Sequence, residues 1–449
     1  MKKLLFVFIL TILIMIIYNN YSKQKRLILT FGDGYYGNYN YVYNDTKITD
    51  LINDIKYNKI DSAINKMKAV IYIEELNVEY KDDELENACV EIANKLFRNV
   101  HSFIPIKENY VFCDSLMWDN HGLTQQYLKA IMSLGKNILF INTGIIERRN
   151  TDIVGLLNDY GKATILYVPN SNYVEQIKFI YQSILDFRPD KVFMHSFSIP
   201  EVIALYKLDF IDRYRINLGN HLTWLGLCCT DYMIEFNDFG YTISVQKRNF
   251  PKEKIFKHPF YPIVDSNNFE GFPQLGINNK VLMYSGGALY KIKDDADTFL
   301  NIVKHLLLEN PNLVFLFSPR DHEDYINDFI SKNSLQNNFY SIGYRKDINE
   351  VFKHIDIFIQ TYPIGGGLME KYALMNSKPV LTYCTKQNFD KLLKIDDNYI
   401  TIDLGTYKKA YTNLDAFYKE AKKLINSKDY REHIGKTLNS FIVTEESFN

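Results

Sequence analysis

Three consecutive glycines, Gly365 to Gly367, stand in the segment TYPIGGGLMEKYALMNSKPVLTY, between a strand-like end and a helical pattern. Glycine lets a backbone approach a ligand closely, because no Cβ is in the way. The N–H groups at the start of the following helix favour an anion. The segment therefore predicts a phosphate site at Gly365, Gly366 and Gly367. A tight turn that binds no ligand is the alternative.

Two cations follow other apolar runs in the same half of the chain. Lys291 comes shortly after VLMYSGG, and Arg320 comes directly after LVFLFSP. A cation at a strand end can stabilise negative charge on a bound anion such as a phosphate group. Lys291 is the preferred candidate and Lys293 is its competitor. Arg320 could contact phosphate or be an ordinary surface arginine.

Three histidines in the first half of the chain are candidates for a general base: His121, His195 and His221. Imidazole titrates near neutral pH, which suits removal of a proton from a hydroxyl group. Each of the three could instead be a structural hydrogen-bonding residue. His258, in the segment FKHPFYP, could line a site or brace a junction between domains.

The composition of the 449 residues narrows the class of protein. Hydrophobic residues make up 47% of the chain, which is normal for a protein that buries sizeable cores. The formal net charge of -1 gives no electrostatic reason to expect nucleic acid as a partner. The five cysteines suit neither a zinc site nor a disulfide framework. The acidic pair Asp82 and Asp83 lies in a charged, solvated run, and no metal site is predicted.

The elements that would position these residues alternate between strand and helix. Apolar runs such as YVFCDS, NILFINTG and KVFMHS are separated by helical stretches, which predicts a parallel sheet with helices on both faces. A second series of the same kind follows a loop-rich linker. We predict two Rossmann-like doubly wound α/β domains, residues 106–262 and 279–425, facing a cleft with ligands at the strand ends. Residues 27–105 form an appended α/β region, and residues 426–449 form a C-terminal helix.

The amino terminus, residues 1–22, has the pattern of a hydrophobic membrane anchor. Residues 4–18 are an almost unbroken apolar run with lysines on both sides. The run is at the short end of what spans a bilayer, where about 17 to 25 residues are typical, and no cleavage site follows it. It predicts a single-pass anchor, with the rest of the chain expected on the cytosolic side, although the positive charges on both flanks do not settle the orientation. A buried first element is the alternative.

The segment from residue 361 to 383 resembles the donor-binding signature of glycosyltransferases with the GT-B fold. The shared features are glycines, a helix with an acidic residue, and a small-x-Pro-Val string. In that superfamily the acidic residue holds the ribose of the nucleotide. A match on KPV puts Tyr372 at that position, and Glu370 lies two residues earlier. The resemblance implies that Glu370 binds the ribose from a shifted helix start, or that other residues do so.

Further segments extend the resemblance over about residues 109 to 441. The string LYKI resembles the corresponding segment of O-linked N-acetylglucosamine transferases. The lysine of that segment contacts the diphosphate in those enzymes, and the resemblance implies the same role for Lys291. SIGYRKDI is similar to the turn beside the nucleotide base, so Tyr344 would stack on the base or simply pack. The segment NHLTWLGLCCTD resembles bacterial surface-polysaccharide glycosyltransferases and draws attention to His221. The segment around His121 resembles the first strand–helix loop of GT-B enzymes, which faces the cleft. His195 stands where related enzymes have a histidine that approaches the donor sugar.

The resemblance implies transfer of a hexose or N-acetylhexosamine from a nucleoside diphosphate sugar, with a UDP-sugar expected, to a hydroxyl group. The acceptor would be a glycan, a lipid-linked sugar or a protein, in surface glycan synthesis, and no metal or other cofactor is implied. A sugar-nucleotide epimerase of the same fold is one alternative. A catalytically inactive GT-B scaffold that binds glycan or a partner transferase is another, kept open by Tyr372. A membrane-tethered structural protein, which would bind no nucleotide, is the third.

Overall fold

The protein is described here by a computed structural model that covers most of the chain. The described residues are 28–30, 40–42, 48–77, 79–99, 101–115, 122–144, 151–217, 219–220, 222–259, 261–262, 264, 268–272, 277, 279–385 and 410–442. The strands in these ranges are β1 Ile28–Thr30, β2 Asn40–Val42, β3 Ile106–Asp114, β4 Asn137–Asn142, β5 Ala163–Tyr167, β6 Pro189–His195, β7 Asp212–Ile216, β8 Tyr232–Glu235, β9 Ile255–Lys257, β10 Val281–Gly287, β11 Leu313–Pro319, β12 Phe339–Ser341, β13 Ile357–Ile359, β14 Val380–Tyr383 and β15 Ala410–Tyr411. The helices are α1 Ile48–Lys56, α2 Ile60–Asn77, α3 Asp83–Leu96, α4 Gly122–Ser133, α5 Thr151–Tyr160, α6 Tyr173–Phe187, α7 Ile199–Tyr206, α8 Asp238–Gln246, α9 Thr298–Glu309, α10 Glu323–Lys332, α11 Ile348–His354, α12 Gly367–Met375, α13 Leu414–Asn426 and α14 Lys428–Asn439.

The first series of strands forms a seven-stranded sheet of order β5-β4-β3-β6-β7-β8-β9. β3 pairs in parallel with β4 and with β6, and the pairs β4–β5 and β6–β7 are parallel as well. The second half of β3 and nearly all of β4 are buried, as is usual for a parallel sheet covered on both faces. The register sets Asp114, the last residue of β3, beside His195, the last residue of β6.

The second series forms a six-stranded sheet of order β12-β11-β10-β13-β14-β15, in which every neighbouring pair is parallel. All seven residues of β11 are buried, which explains its uninterrupted apolar sequence. The register sets Gly286 of β10 beside Ser318, and Gly287 beside Pro319. Two parallel-sheet α/β domains, the central prediction for the fold, are therefore present.

The chain divides into two compact units. The first comprises residues 1–119 and 135–233, and the second comprises residues 120–134 and 234–449. Helices α1 to α3 share one hydrophobic core with the first sheet, since Leu51 and Ile92 belong to the same buried cluster as Val111 of β3. The helical part of the region predicted as an appendage thus packs into the first unit. The second unit has its own core, built from the six-stranded sheet and its helices.

The single-pass anchor predicted for residues 4–18 is corrected. Those residues lie outside the described ranges, and no helix among the described residues is long and apolar enough to cross a membrane. A spanning helix needs about 20 predominantly apolar residues, and the run from Leu4 to Tyr18 falls short of that length. The described residues therefore give no support to the predicted single-pass membrane localisation.

Candidate functional site

The carboxyl ends of β10 and β13 lie next to each other where the strand order of the second sheet reverses. From β10 the chain continues to β11 and β12 on one side, whereas β13 and β14 lie on the other side. Open α/β sheets bind ligands outside the carboxyl ends of their strands at such a reversal. The residues that follow β10 and β13 are therefore the first candidates for a ligand site in this unit.

Lys291 ends a short 3-10 turn, Leu289–Lys291, that follows β10. Its side chain is half-buried, and an ideal Cβ built on Gly366 would lie 3.5 Å from its Nζ atom. No hydrogen bond or ion pair joins this ammonium group to any residue that the structure describes. Burial, followed by the positive charge of Arg320, lowers the pKa of Lys291. A desolvated cation without a described acidic partner is suited to an anionic ligand.

The side chain of Gln360, which directly follows β13, holds the glycine turn in place. Its Oε1 atom accepts a hydrogen bond from the Gly366 N–H at 2.8 Å. Its Nε2 atom donates to Glu370 Oε2 at 3.3 Å. Gln360 is only 6% exposed, and its own N–H donates to the carbonyl of Leu381 at 2.8 Å. The turn is therefore fixed to the end of the sheet.

Two further hydrogen bonds connect this turn to itself and to the segment that carries Lys291. Thr361 Oγ1 donates to the carbonyl of Ile364 at 2.6 Å. The Ile364 N–H donates to the carbonyl of Lys291 at 3.3 Å. Two of the strongest sequence candidates, the glycine run and Lys291, are thus brought together by main-chain geometry.

Gly366 is the N-cap of α12, and a Cβ added there would make only ordinary contacts with the residues that the structure describes. Its φ of -112° is accessible to any residue, so backbone conformation does not require glycine. A side chain would extend toward Lys291 Nζ and Gln360 Oε1, at 3.5 and 3.8 Å from the first added carbon. The first N–H groups of α12 and the positive end of its dipole lie at the same turn.

Arg320, Tyr344 and Glu370, the other predicted donor-binding residues, differ in exposure and in hydrogen bonding. Arg320 is exposed directly after β11, and its N–H donates to the carbonyl of Gly287 at 3.0 Å. Tyr344 is 56% exposed and follows β12, which is separated from β10 by β11. Glu370 is 6% exposed and is hydrogen-bonded to Gln360.

Lys293 is the alternative to Lys291, and Tyr372 is the alternative to Glu370. Both side chains make contacts within the protein. Lys293 Nζ lies 3.1 Å from Asp297 Oδ1 and 2.5 Å from the Tyr325 hydroxyl, on the surface. Tyr372 is 8% exposed, and its ring stacks on Phe352 with centroids 6.1 Å apart. Tyr372 therefore belongs to the core of the second unit.

Among the three candidate bases, only His195 lies in the described part of the chain. Its side chain is fully buried at the end of β6, and Nδ1 lies 3.5 Å from Asp114 Oδ2, which is also fully buried. His121 and His221 lie outside the described residues, and their roles stay predictions. His258 is half-buried in the second unit, and burial lowers its pKa.

A buried charged network surrounds the ends of β6 and β7 in the first unit. Ser198 caps α7, which brings Glu201 into the first turn of that helix, where its carboxylate accepts a hydrogen bond from Ser196. Arg215 Nη1 donates to the Ser196 carbonyl at 2.6 Å, and Nη2 donates to the Leu225 carbonyl at 3.2 Å. Burial raises the pKa of Glu201 to about 7, although Arg215 and Ser196 act in the opposite direction.

Sequence reasoning missed Gln360, Asp114 and Glu201. Gln360 and Asp114 both stand at or directly after the end of a buried strand, in IDIFIQ and YVFCD, which is the position where parallel sheets present ligand-binding groups. Their position at a strand end could therefore have identified both residues as candidate site residues. Glu201 had no comparable indication, because a glutamate in the first turn of a helix is ordinarily a surface residue.

The acidic side chains of the described residues form no metal-binding site. The string Asp295–Ala296–Asp297 has a spacing known from metal-binding sites, but Asp297 is paired with Lys293. No group of three or more His, Cys, Asp or Glu side chains in the described ranges is arranged to hold a metal ion.

No family model matches the sequence, and no curated protein matches it either. Solved structures do match. A variant of the O-GlcNAc transferase of Thermobaculum terrenum aligns with a TM-score of 0.51 at 10% identity, over 89% of this chain and 78% of that one. HepE of Anabaena, in complex with UDP and glucose, aligns with a TM-score of 0.53 at 14% identity, over 74% of this chain and 94% of that one.

A protein described as a UDP-N-acetylglucosamine 2-epimerase, from Listeria monocytogenes, is also similar. Its TM-score is 0.50 at 11% identity, over 74% of this chain and 91% of that one. Identities this low establish the fold alone. The chain has the GT-B fold, and the predicted resemblance to GT-B glycosyltransferases is confirmed at that level.

Proposed function

We propose that this protein is a glycosyltransferase that uses a nucleoside diphosphate sugar, foremost a UDP-sugar, as donor. The observation that carries the proposal is the Lys291 ammonium group, half-buried beside Gly366 and without an acidic partner among the described residues. Such a cation lowers the free energy of a bound anion, because neither group then has to be buried alone. A diphosphate supplies that anion, and HepE, which shares the fold, was solved with UDP and glucose.

The chemistry requires little more of this site than binding and charge stabilisation. In the transfer, the bond between the anomeric carbon and the diphosphate oxygen breaks, and its electron pair leaves with the diphosphate. Lys291, the first turn of α12 and Arg320 would stabilise that charge. The bond to the acceptor oxygen forms as a base removes the hydroxyl proton.

The acceptor is proposed to be a hydroxyl group of a glycan, a lipid-linked sugar or a protein. The proton would pass to one of the histidines predicted from the sequence. His195 is fully buried beside Asp114, so it would act by fixing neighbouring groups unless its surroundings rearrange. His121 and His221 are the remaining candidates for direct contact with the acceptor.

A sugar-nucleotide epimerase is the second candidate, because the Listeria protein shares the fold at comparable similarity. An epimerase would use the same diphosphate site, but it would need no acceptor. The inactive scaffold is the third, since the core residue Tyr372 occupies the place of the expected glutamate. All three predict nucleotide binding, and they differ in turnover.

The test is to incubate the full chain with UDP-, GDP-, dTDP- and ADP-linked hexoses and N-acetylhexosamines, with and without sugar acceptors. Nucleoside diphosphate release and the mass of the acceptor are measured. A transferase releases diphosphate and adds one sugar mass to the acceptor. Conversion of the sugar nucleotide without acceptor identifies an epimerase. Thermal stabilisation by a nucleotide without turnover identifies the scaffold.

A further inference from the structure

The two hydrogen bonds of the Gln360 amide assign its oxygen and nitrogen without ambiguity. Oε1 faces an N–H donor, that of Gly366, and Nε2 faces a carboxylate, that of Glu370. An ionised carboxylate only accepts hydrogen bonds and an N–H only donates, so the reversed amide would make two unfavourable contacts. One side chain therefore connects the start of α12 to a carboxylate one turn further along the helix.

This arrangement changes which groups of the turn are available to an anion. The Gly366 N–H is already occupied by Gln360 at 2.8 Å, so the turn is held by the protein and not by the ligand. What remains open beside the turn is the bare Cα face of Gly366, which points toward Lys291 Nζ. The Glu370 carboxylate, which would repel a diphosphate, is held by the amide of Gln360.

We infer that Gln360 is a positioning residue of the donor site, which holds the Gly366 turn and the Glu370 carboxylate in the arrangement that admits a diphosphate beside Lys291. The inference rests on the proposed function and names the residue that organises its site. Gln360 needs no contact with the ligand for this role. It acts through the two groups to which it is hydrogen-bonded.

The inference explains why an amide is suited to this position. A carboxylate there would face Glu370, and like charges at this distance raise the pKa of one of the two groups. It would also place a negative charge near Lys291, where Arg320 is the other cation that affects the site. An internal anion would then compete with the diphosphate for the same ammonium group.

The experiment measures UDP and uridine binding by isothermal titration calorimetry for the full chain and three variants. Gln360→Met keeps the length of the side chain but removes both hydrogen bonds. Gln360→Glu keeps the shape and adds charge. Gln336→Met makes the same chemical change at an exposed position and serves as the matched control. Melting temperatures without ligand show whether each variant is folded.

We expect Gln360→Met to weaken UDP binding roughly tenfold, as for loss of a charge-linked hydrogen-bonded pair, and to leave uridine binding and the Gln336→Met control unchanged. Gln360→Glu should weaken UDP binding at pH 8 and recover toward the wild-type value as the pH falls toward 5, since its carboxyl group then becomes neutral. The ratio of variant to wild type at each pH removes the titration of UDP itself.

Equal UDP affinity for the wild type and both Gln360 variants would overturn the positioning role while leaving the proposed function in place. A pH-independent ratio for Gln360→Glu would also overturn it, because a structural defect would not follow protonation. If the wild type binds no nucleoside diphosphate at all, the proposed function fails, and the inference fails with it.

Discussion

The two sheets reverse their strand order at equivalent places, between β3 and β6 and between β10 and β13. The charged groups at the two places differ in whether they have partners. At the first reversal, His195 and Asp114 are fully buried beside each other, and the buried Arg215 donates a hydrogen bond to the carbonyl of Ser196. At the second, Lys291 is half-buried without an acidic partner among the described residues.

The difference fits an internal network at the first end and the proposed donor site at the second. A buried charge destabilises a fold unless a partner compensates it. The first end holds its charged groups beside one another, so removal of one of them would leave another buried without compensation. The second end leaves a cation uncompensated, which is reasonable where a ligand supplies the anion. Substitutions at the first end should therefore change stability, and those at the second end should change binding.

The largest effect is expected for Arg215→Met. The variant leaves the buried Glu201 carboxylate without its nearby cation and leaves the carbonyls of Ser196 and Leu225 without a donor. Removal of one partner from a buried charged network costs about 3–5 kcal/mol of unfolding free energy. Urea unfolding measures it, with Arg320→Met as the exposed control. A loss below about 1 kcal/mol, the range of surface pairs, would contradict the comparison.

The second-largest effect is expected for Lys291→Met, and it is a loss of UDP affinity. We expect UDP affinity to fall by about 1.5–3 kcal/mol, the range for a hydrogen bond to a charged group. Without ligand, the variant should melt at the same or a higher temperature at pH 7, because the fold disfavours the charged form of Lys291. Calorimetry and thermal melting measure the two quantities. Lys293→Met, at the exposed ion-paired lysine, is the matched control and should bind UDP normally.

The pH dependence of stability should reveal Glu201. Its folded pKa of about 7 lies above the ordinary value of 4.5, so the folded state binds its proton more tightly. The resulting stabilisation is complete below about pH 4.5 and is lost as the pH rises through about 7, with a slope of at most ~1.4 kcal/mol per pH unit. Urea unfolding of the wild type and Glu201→Gln from pH 5 to 8 should give a difference that follows this window. A constant difference would show that Glu201 is ionised throughout.

The smallest effect is expected for Gly366→Ala. Its Cβ would lie 3.5 Å from Lys291 Nζ, an ordinary contact, and the backbone conformation suits alanine. UDP affinity should fall less than about fivefold, a cost below ~1 kcal/mol. Gly366→Val places two more carbons in the same space and should reduce binding far more at an unchanged melting temperature. Equal binding by both variants would move the diphosphate away from this face of the turn.

Much of this account was predictable from sequence, and the failures have physical causes. The strands were predictable because parallel sheets bury both faces and so leave uninterrupted apolar runs, as in LVFLFSP. Lys291 and the glycine run were predictable from their places after such strands. Glu201 was not, because its full burial and the nearby charge of Arg215 both come from packing between separate elements.

Gln360 and the apolar run at residues 4–18 were also misjudged, for different reasons. Gln360 was not singled out, since its importance depends on hydrogen bonds to residues six and ten positions away. The apolar run at residues 4–18 was assigned to a membrane from its hydropathy, its flanking lysines and the lack of a cleavage site after it, although it is shorter than the usual spanning length of about 20 residues.

The most direct test of the central claim is a crystal structure of the full chain with UDP. The account predicts the diphosphate against Lys291 Nζ and the Cα of Gly366, at the carboxyl ends of β10 and β13, with Gln360 still hydrogen-bonded to the turn. A diphosphate bound elsewhere, such as at the ends of β3 and β6 beside Asp114 and His195, would contradict it.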